Sequence, residues 1–243
     1  VFYSPMIIEN SGMGINITEE TLVNDANNNI VSHKFIPQIR TMEDTERIVT
    51  PKVTLDQEKT QKTYEAYQEI LGDVMPVEIR GVQGFWFAPV DDLVQLMGTN
   101  ELLLNVALEP ELVHASMRKI VDAYMGALDQ YEALGCLGSN NRNYRIGSGA
   151  YGYTSQLPRG TMTGMECKNM WGAAASQFFT SVSPQMHEEF SIAYEKPWLE
   201  RFGFSYYGCC ERLDIKINQL KKIKNLRKIS WKNWERLRNW SDI

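Results

Sequence analysis

The chain is poor in the features that mark specialised protein classes. Four cysteines in 243 residues do not make a disulfide scaffold. Two of them, Cys209 and Cys210, are adjacent, which disfavours a simple bridge between them. No apolar run approaches the length of a membrane span, and no signal-peptide pattern opens the sequence. A net charge of -5 gives no reason to expect nucleic acid as a partner. No internal repeat or low-complexity segment stands out. These absences point to a cytoplasmic globular protein with neither a nucleic-acid nor a membrane partner. What is present is ordinary for that class: 43% hydrophobic and 23% charged residues, in a chain long enough for one large domain or two small ones. Val1 already sits in a strand-like run, so the sequence reads as part of a longer protein.

Strand and helix patterns alternate along it. Residues 2–8 read as a strand that Pro5 demotes to an edge or bulge, and residues 10–14 as a turn. Residues 18–29 are polar and loop-like. Thr41 caps a short helix, and the box from Thr54 to Gln57 opens a helix that runs to Leu71 and ends at Gly72. Residues 75–80 form a strand, followed by a glycine- and aromatic-rich loop over 81–86. Pro89 starts a helix over 89–97. The clearest helix covers 110–134, with Leu112, Val113, Met117, Ile120, Val121 and Leu128 on one stripe and Gly135 closing it. His114 lies beside that stripe and reads as structural.

Further on, residues 171–180 fit strand or helix. Ser183 and Pro184 open a helix whose apolar face is Met186, Phe190, Ala193 and Tyr194, and which Pro197 kinks or ends. Residues 204–207 form a strand, 213–225 a basic amphipathic helix with Ile217, Leu220 and Ile223 inward, and 226–231 a last strand. In the tail, 232–243, Trp234, Leu237 and Trp240 recur at three-residue intervals, as in one more packing helix. Such alternation argues for a parallel sheet with helical crossovers. It fits a (β/α) barrel of the TIM type, incomplete at both ends, since roughly five or six strands fall short of the eight in a closed barrel.

Two stretches carry candidate chemistry. Gly147-Ser-Gly-Ala-Tyr-Gly152 spells a dinucleotide motif, but no helix pattern follows it, so the nucleotide reading fails on context. Phe202-Gly-Phe-Ser-Tyr-Tyr-Gly-Cys-Cys-Glu211 reads as a buried strand ending at a turn with two thiols and a carboxylate. In parallel α/β folds chemistry collects where strands end.

The order of motifs resembles the uroporphyrinogen decarboxylase superfamily, which comprises the decarboxylase and corrinoid-linked methyltransferases on a TIM barrel. The resemblance covers residues 1–231 and leaves 232–243 as an atypical tail. It rests on Tyr3-Ser-Pro-Met-Ile-Ile8 leading to Gly12-Met-Gly14, on the 110–135 helix, on Ser183-Pro184 with Glu188-Glu189-Phe190, and on Tyr207-Gly-Cys-Cys-Glu211. In the decarboxylase branch an aspartate precedes a glycine at a fixed distance. Laying that glycine on Gly14 puts the aspartate on Pro5, which has no side-chain acceptor for pyrrole nitrogens.

The methyltransferase branch has a zinc-binding His-x-Cys at the end of a late strand. Cys209 falls on its cysteine and Tyr207 on its histidine.

The resemblance therefore implies a corrinoid-dependent methyltransferase with a thiolate or zinc-thiolate site. Cys209 is its nucleophile or metal ligand, Cys210 a second ligand, Glu211 a base or ligand and Tyr207 an orienting donor. The loops 81–86 and 138–153 would line the pocket, with Trp86, Asn140 and Tyr151 against the cofactor. Zinc, a corrinoid such as methylcobalamin, a small methyl donor or acceptor, a corrinoid protein and further copies of the chain are the expected associates. Two alternatives stand beside it. Tetrapyrrole decarboxylation would use Arg80, Arg142, Arg145 and Arg159 for substrate carboxylates. A truncated, non-catalytic module would associate through unpaired strand edges.

Overall fold

The computed structural model describes residues 1–23 and 31–230. The expected tail helix and the last residue of the 226–231 strand lie outside the described residues. The backbone forms two compact units. The first comprises Val1–Val82, Pro89–Gly138 and Thr161–Met165; the second comprises Gln83–Ala88, Ser139–Gly160 and Glu166–Ile243. Among the described residues the class is mixed α/β, with three two-stranded sheets and one three-stranded sheet. No helix among them is long and apolar enough to cross a membrane.

The first unit runs β1 (Phe2–Pro5), β2 (Ile8–Asn10), β3 (Glu19–Val23), β4 (Val31–Phe35), α1 (Met42–Thr45), β5 (Val53–Leu55), α2 (Gln57–Leu71), β6 (Val77–Arg80), α3 (Pro89–Met97), α4 (Thr99–Leu108) and α5 (Pro110–Ala133). β1 pairs in parallel with β6, from Phe2 on Val77 to Pro5 on Arg80. One further parallel bridge joins Val82 to Leu137. β2 and β5 are antiparallel, as are β3 and β4.

Three local features depart from expectation. The polar stretch read as a loop contributes β3, in which Glu19 faces Phe35 and Glu20 faces Lys34 across the hairpin. The cap of α2 is Asp56, whose carboxylate accepts the Lys59 N–H at 2.8 Å. Thr54 is instead held extended in β5 opposite Glu9. Helix α4 was not anticipated; Gly98, at φ +91°, supplies the left-handed break that separates it from α3.

Helix α5 is the spine of this unit. Its buried face includes Leu112, Val113, Met117, Ile120, Val121 and Leu128, the stripe the periodicity predicts. Met117 is fully buried, whereas Leu108, the last residue of α4, is 71% exposed. Truncating Met117 to Ala should cost about 2–5 kcal/mol, and Leu108→Ala within about 0.5 kcal/mol. Urea unfolding midpoints of the two variants check this.

The second unit carries β7 (Trp171–Ala174), α6 (Pro184–His187), α7 (Ala193–Glu200), β8 (Phe204–Tyr207), α8 (Ile217–Leu220) and β9 (Leu226–Ile229). The three strands lie in the order β7-β8-β9, all parallel. Helical segments link successive neighbours, as the alternation predicts. Side chains alternate across a strand. Trp171 and Ala173 therefore share one face with their partners Phe204 and Tyr206, while Ala174 and Tyr207 share the other. Ile146, Trp171, Ala173 and Tyr206 form one buried cluster, against which the partly buried Phe204 packs.

Ser183 caps α6 as predicted, accepting the Met186 N–H at 3.2 Å. A π-helical turn, Glu188–Ile192, then joins α6 to α7. Its extra residue shifts the helical phase. The inward face becomes His187, Phe190, Ser191, Glu195, Trp198 and Leu199, while Ala193 is exposed. The expected face of Ala193 and Tyr194 is thereby corrected. Pro197 neither ends nor terminates the helix, which runs on to Glu200; both Pro197 and Ala193, four residues earlier, are exposed, which eases the proline's lost hydrogen bond. The expected 213–225 helix is two short turns, Leu213–Ile215 and α8. Lys216 lies between them with non-helical backbone and a buried side chain.

Candidate functional site

The loop between the last two sheet strands is built from the end of β8 outward. Gly208 follows Tyr207 at φ +100°. A Cβ there would lie 2.5 Å from Leu213 Cδ1, so both the turn and its packing require glycine. The Gly208 N–H donates to the Ala174 carbonyl at 2.8 Å, which aligns this turn with the end of β7. Cys209 is half-buried and Cys210 exposed. Their sulfurs are 3.7 Å apart.

Glu211 is buried at 1% exposure. Its Oε1 accepts the Ser176 N–H at 2.6 Å, and its Oε2 accepts the Cys209 N–H. Both oxygens are thus committed to backbone. Glu211 fixes the cysteine turn against the segment after β7, which makes it a positioning residue rather than a free base or ligand.

Tyr207 is also turned away from the sulfurs. Its hydroxyl donates to Glu195 Oε2 at 2.5 Å and lies 2.8 Å from His187 Nε2. The tyrosine oxygen therefore accepts from the imidazole Nε2–H. Ser176 Oγ donates to Glu195 Oε1 at 2.7 Å and sits 2.5 Å from Ser191 Oγ. Tyr207, Glu195, Ser176, Ser191 and His187 are all fully buried, and the network links to the turn through Glu211. His187 Nδ1 is buried with no hydrogen-bond partner among the described residues.

Burial governs the charges here. It pushes the Glu195 carboxyl up to about 7, against the bonds from Tyr207 and the serines, which favour the anion. It holds His187 down to about 3, with the Lys216 charge acting the same way. Lys216 is itself fully buried, donates to the Phe179 carbonyl and is lowered to about 8 by desolvation, with Glu211 opposing.

Cys209 is not a ready thiolate. Desolvation raises its thiol above the usual 9, Cys210 and Glu211 add to the rise, and the Ser148 hydroxyl opposes it. Among the described residues no group of three or more histidine, cysteine or acidic side chains is placed to hold a metal. The turn offers two sulfurs, while Glu211 and Tyr207 are spent elsewhere. The residues present do not fit the expected zinc, and no step is derived through it.

A cavity of about 350 Å³ lies on the Trp171–Tyr206 side of the sheet. Phe85, Trp86, Tyr144, Trp171, Trp198 and Phe202 give it aromatic walls, with Asn140, Arg145 and Ser148 as polar points. Ser148 connects the cavity to the cysteine turn. Its Oγ lies 3.2 Å from Tyr206 Oη and 3.4 Å from the Gly208 carbonyl oxygen, and it touches the Cys209 sulfur. Cys209 does not line the cavity; it follows Gly208, whose carbonyl the cavity residue Ser148 meets.

Of the expected ligand-binding residues, Trp86 and Asn140 line this cavity. Tyr151 does not; its side chain is exposed and its carbonyl accepts from Lys228. Asn140 is a wall residue with its amide already used. Nδ2 donates to the Gln83 and Trp171 carbonyls at 2.8 Å each, and Oδ1 accepts the Trp171 N–H at 2.9 Å. The glycine motif at 147–152 opens no helix, and its loop supplies Gly147 and Ser148 to the cavity wall.

The sequence reading missed His187, Glu195, Ser176, Ser191 and Lys216. One signal was present: Lys216 keeps helical spacing with Leu213, Leu220 and Ile223, all of which are buried. The π-turn that brings His187 and Glu195 to one tyrosine has no comparable signature.

No family model matches the chain, and no curated protein or solved structure matches it at a significant level.

The raised carboxyl has a definite consequence. Folding lifts Glu195 from the usual 4.5 to about 7, so its contribution to stability is full below 4.5 and is lost as pH rises through 7. His187 falls from 6.5 to about 3, so its contribution is full above 6.5 and lost on acidification. Between these limits the two slopes oppose. Glu195→Gln removes only the first. Its unfolding free energy relative to the parent should improve by about 1.4 kcal/mol per pH unit between pH 5 and 7. Denaturant titrations at both pH values test this, and a pH-independent difference would mean that Glu195 is ionised throughout.

Proposed function

We propose that the chain is a uroporphyrinogen decarboxylase-like, TIM-type (β/α) protein of the cytoplasm that works as a thiol-dependent methyltransferase. The observation that carries this reading is the place of Cys209: just past the end of a parallel strand and next to Gly208, whose carbonyl meets the hydroxyl of the cavity residue Ser148. A volume of about 350 Å³ lies at the lower end of the ~300–1,000 Å³ that holds a drug-sized molecule. The cavity suits a small methyl donor or acceptor. A complete corrinoid exceeds it and would be presented at the rim by a partner corrinoid protein.

In this reading Trp86, Trp171 and Phe202 exclude water and grip the apolar body of the small molecule. The Cys209 sulfur takes the methyl group. A carbon–sulfur bond forms as the bond to the donor atom breaks, the bonding pair leaves with the donor, and the thiol proton passes to water. Ser148 stabilises the thiolate, and Glu211 holds the Cys209 backbone in place. Zinc has no part in this scheme.

Incubation with methylcobalamin as the probe should add one methyl mass to the peptide carrying Cys209. Because the thiol is raised, the rate should climb about tenfold per pH unit between pH 7 and 9. Cys209→Ala should abolish uptake and Cys210→Ala should retain it. Full methyl uptake by the Cys209→Ala protein would overturn the assignment.

A further inference from the structure

Between Glu132 and Glu166 the sequence contains no aspartate or glutamate, yet it contains Arg142, Arg145 and Arg159. The whole chain carries a net charge of -5. This stretch is thus an electropositive insert in an acidic protein. Arg145 is turned onto its own loop, with the guanidinium donating to the Gly147 and Ser148 carbonyls. Arg142, whose Nη2 donates to the Gly160 carbonyl at 3.4 Å, and Arg159 lie in a different place. They line a cleft of about 870 Å³ together with Asn143, Tyr153, Thr154 and Ser155, and none of its lining residues is acidic.

The cleft is a built feature. Asn141, 4% exposed, clamps its wall: Nδ2 donates to the carbonyls of Thr154, Leu157 and Pro158 at 3.0, 2.7 and 3.2 Å. Its Oδ1 accepts the Thr154 N–H at 2.8 Å. The Ser139 hydroxyl donates to the Arg159 carbonyl. The backbones that carry both arginines are therefore fixed before any ligand arrives, which lowers the ordering cost of binding. Guanidinium groups recognise carboxylate and phosphate oxygens with paired, charge-assisted hydrogen bonds.

We propose that this cleft is a binding site for a small, multiply charged oxyanion, either a phosphate ester or a polycarboxylate. Arg142 and Arg159 hold its charged oxygens, and the Asn143, Thr154 and Ser155 side chains supply neutral donors. The site is lined by residues other than those of the aromatic cavity, and the proposal does not rest on methyl transfer.

Calorimetric titration of the full chain at low ionic strength, with pyrophosphate and with citrate as separate probes, tests it. One saturable site per chain is expected for at least one probe. Tighter binding of pyrophosphate assigns the phosphate class, and tighter binding of citrate the polycarboxylate class. The doubly substituted Arg142→Gln, Arg159→Gln protein should bind at least about tenfold more weakly. The Arg142→Lys, Arg159→Lys protein should fall between, since lysine keeps the charge and loses the fork. Should the glutamine pair prevent folding, the lysine pair alone decides by its reduced affinity. Failure of both probes to saturate a single site, or unchanged affinity in the substituted proteins, would overturn the proposal.

Discussion

The second unit depends on one carboxylate. Glu211 reaches back from the turn after β8, and its two oxygens accept the N–H groups of Ser176 and Cys209. Ser176 follows β7, so the side chain pins the end of one strand to the exit of the next. Charge-assisted bonds to backbone donors are among the stronger ones in proteins. Removing a partner from such a buried pair leaves unsatisfied donors as well as a lost bond. Every other feature of the turn follows from this tie. Gly208 bends the chain, and Ser230 closes the turn by donating to the Cys209 carbonyl.

The same tie explains why the buried polar network is tolerable. Glu195 lies in the unit's interior with no cation bonded to it among the described residues, a costly arrangement if it were permanently ionised. Its oxygens are instead filled by the hydroxyls of Tyr207 and Ser176, and burial keeps its proton affinity near neutrality. Hydroxyls serve a carboxyl group in either protonation state, because they can donate or accept. The hydroxyl partners can therefore accommodate either form of the carboxyl group. The two faces of β8 divide the labour. Tyr207 anchors the network, while Tyr206 packs in the opposite cluster and meets Ser148.

How much of this was legible in the residues varies with the physics behind each element. Helices α3 and α5 start where predicted because proline at the first position and an apolar stripe act locally. β8 lies where expected because Phe204, Tyr206 and Tyr207 suit a pleated, half-buried surface, and the sheet supplies one. The cap at Asp56 was misplaced because Thr54 was recruited into β5, and strand pairing is a non-local interaction. Glu195 was invisible because its burial depends on a π-turn, a one-residue phase error that no periodicity template contains. Asn140, expected against a cofactor, lines the cavity with its amide spent on the Gln83 and Trp171 backbone. Cys209 was placed at the end of a strand as expected, while its environment disfavours the thiolate that the turn's composition suggested.

These differences bear on what kind of chemistry the cysteine turn supports. A zinc-thiolate site needs several donors converging on one point, with second partners to orient them. Here the carboxylate and the phenol that could have joined the sulfurs are drawn inward, each to satisfy buried groups. That inward commitment is what gives the turn its shape. A metal could be accommodated only by breaking the bonds that hold Ser176 and Cys209 together, so the ligand set and the fold compete for the same atoms. A single sulfur acting as a nucleophile makes no such demand. It needs only a rigid backbone, a neighbouring hydroxyl and a pH high enough to ionise it, and the first two are supplied by Glu211 and Ser148.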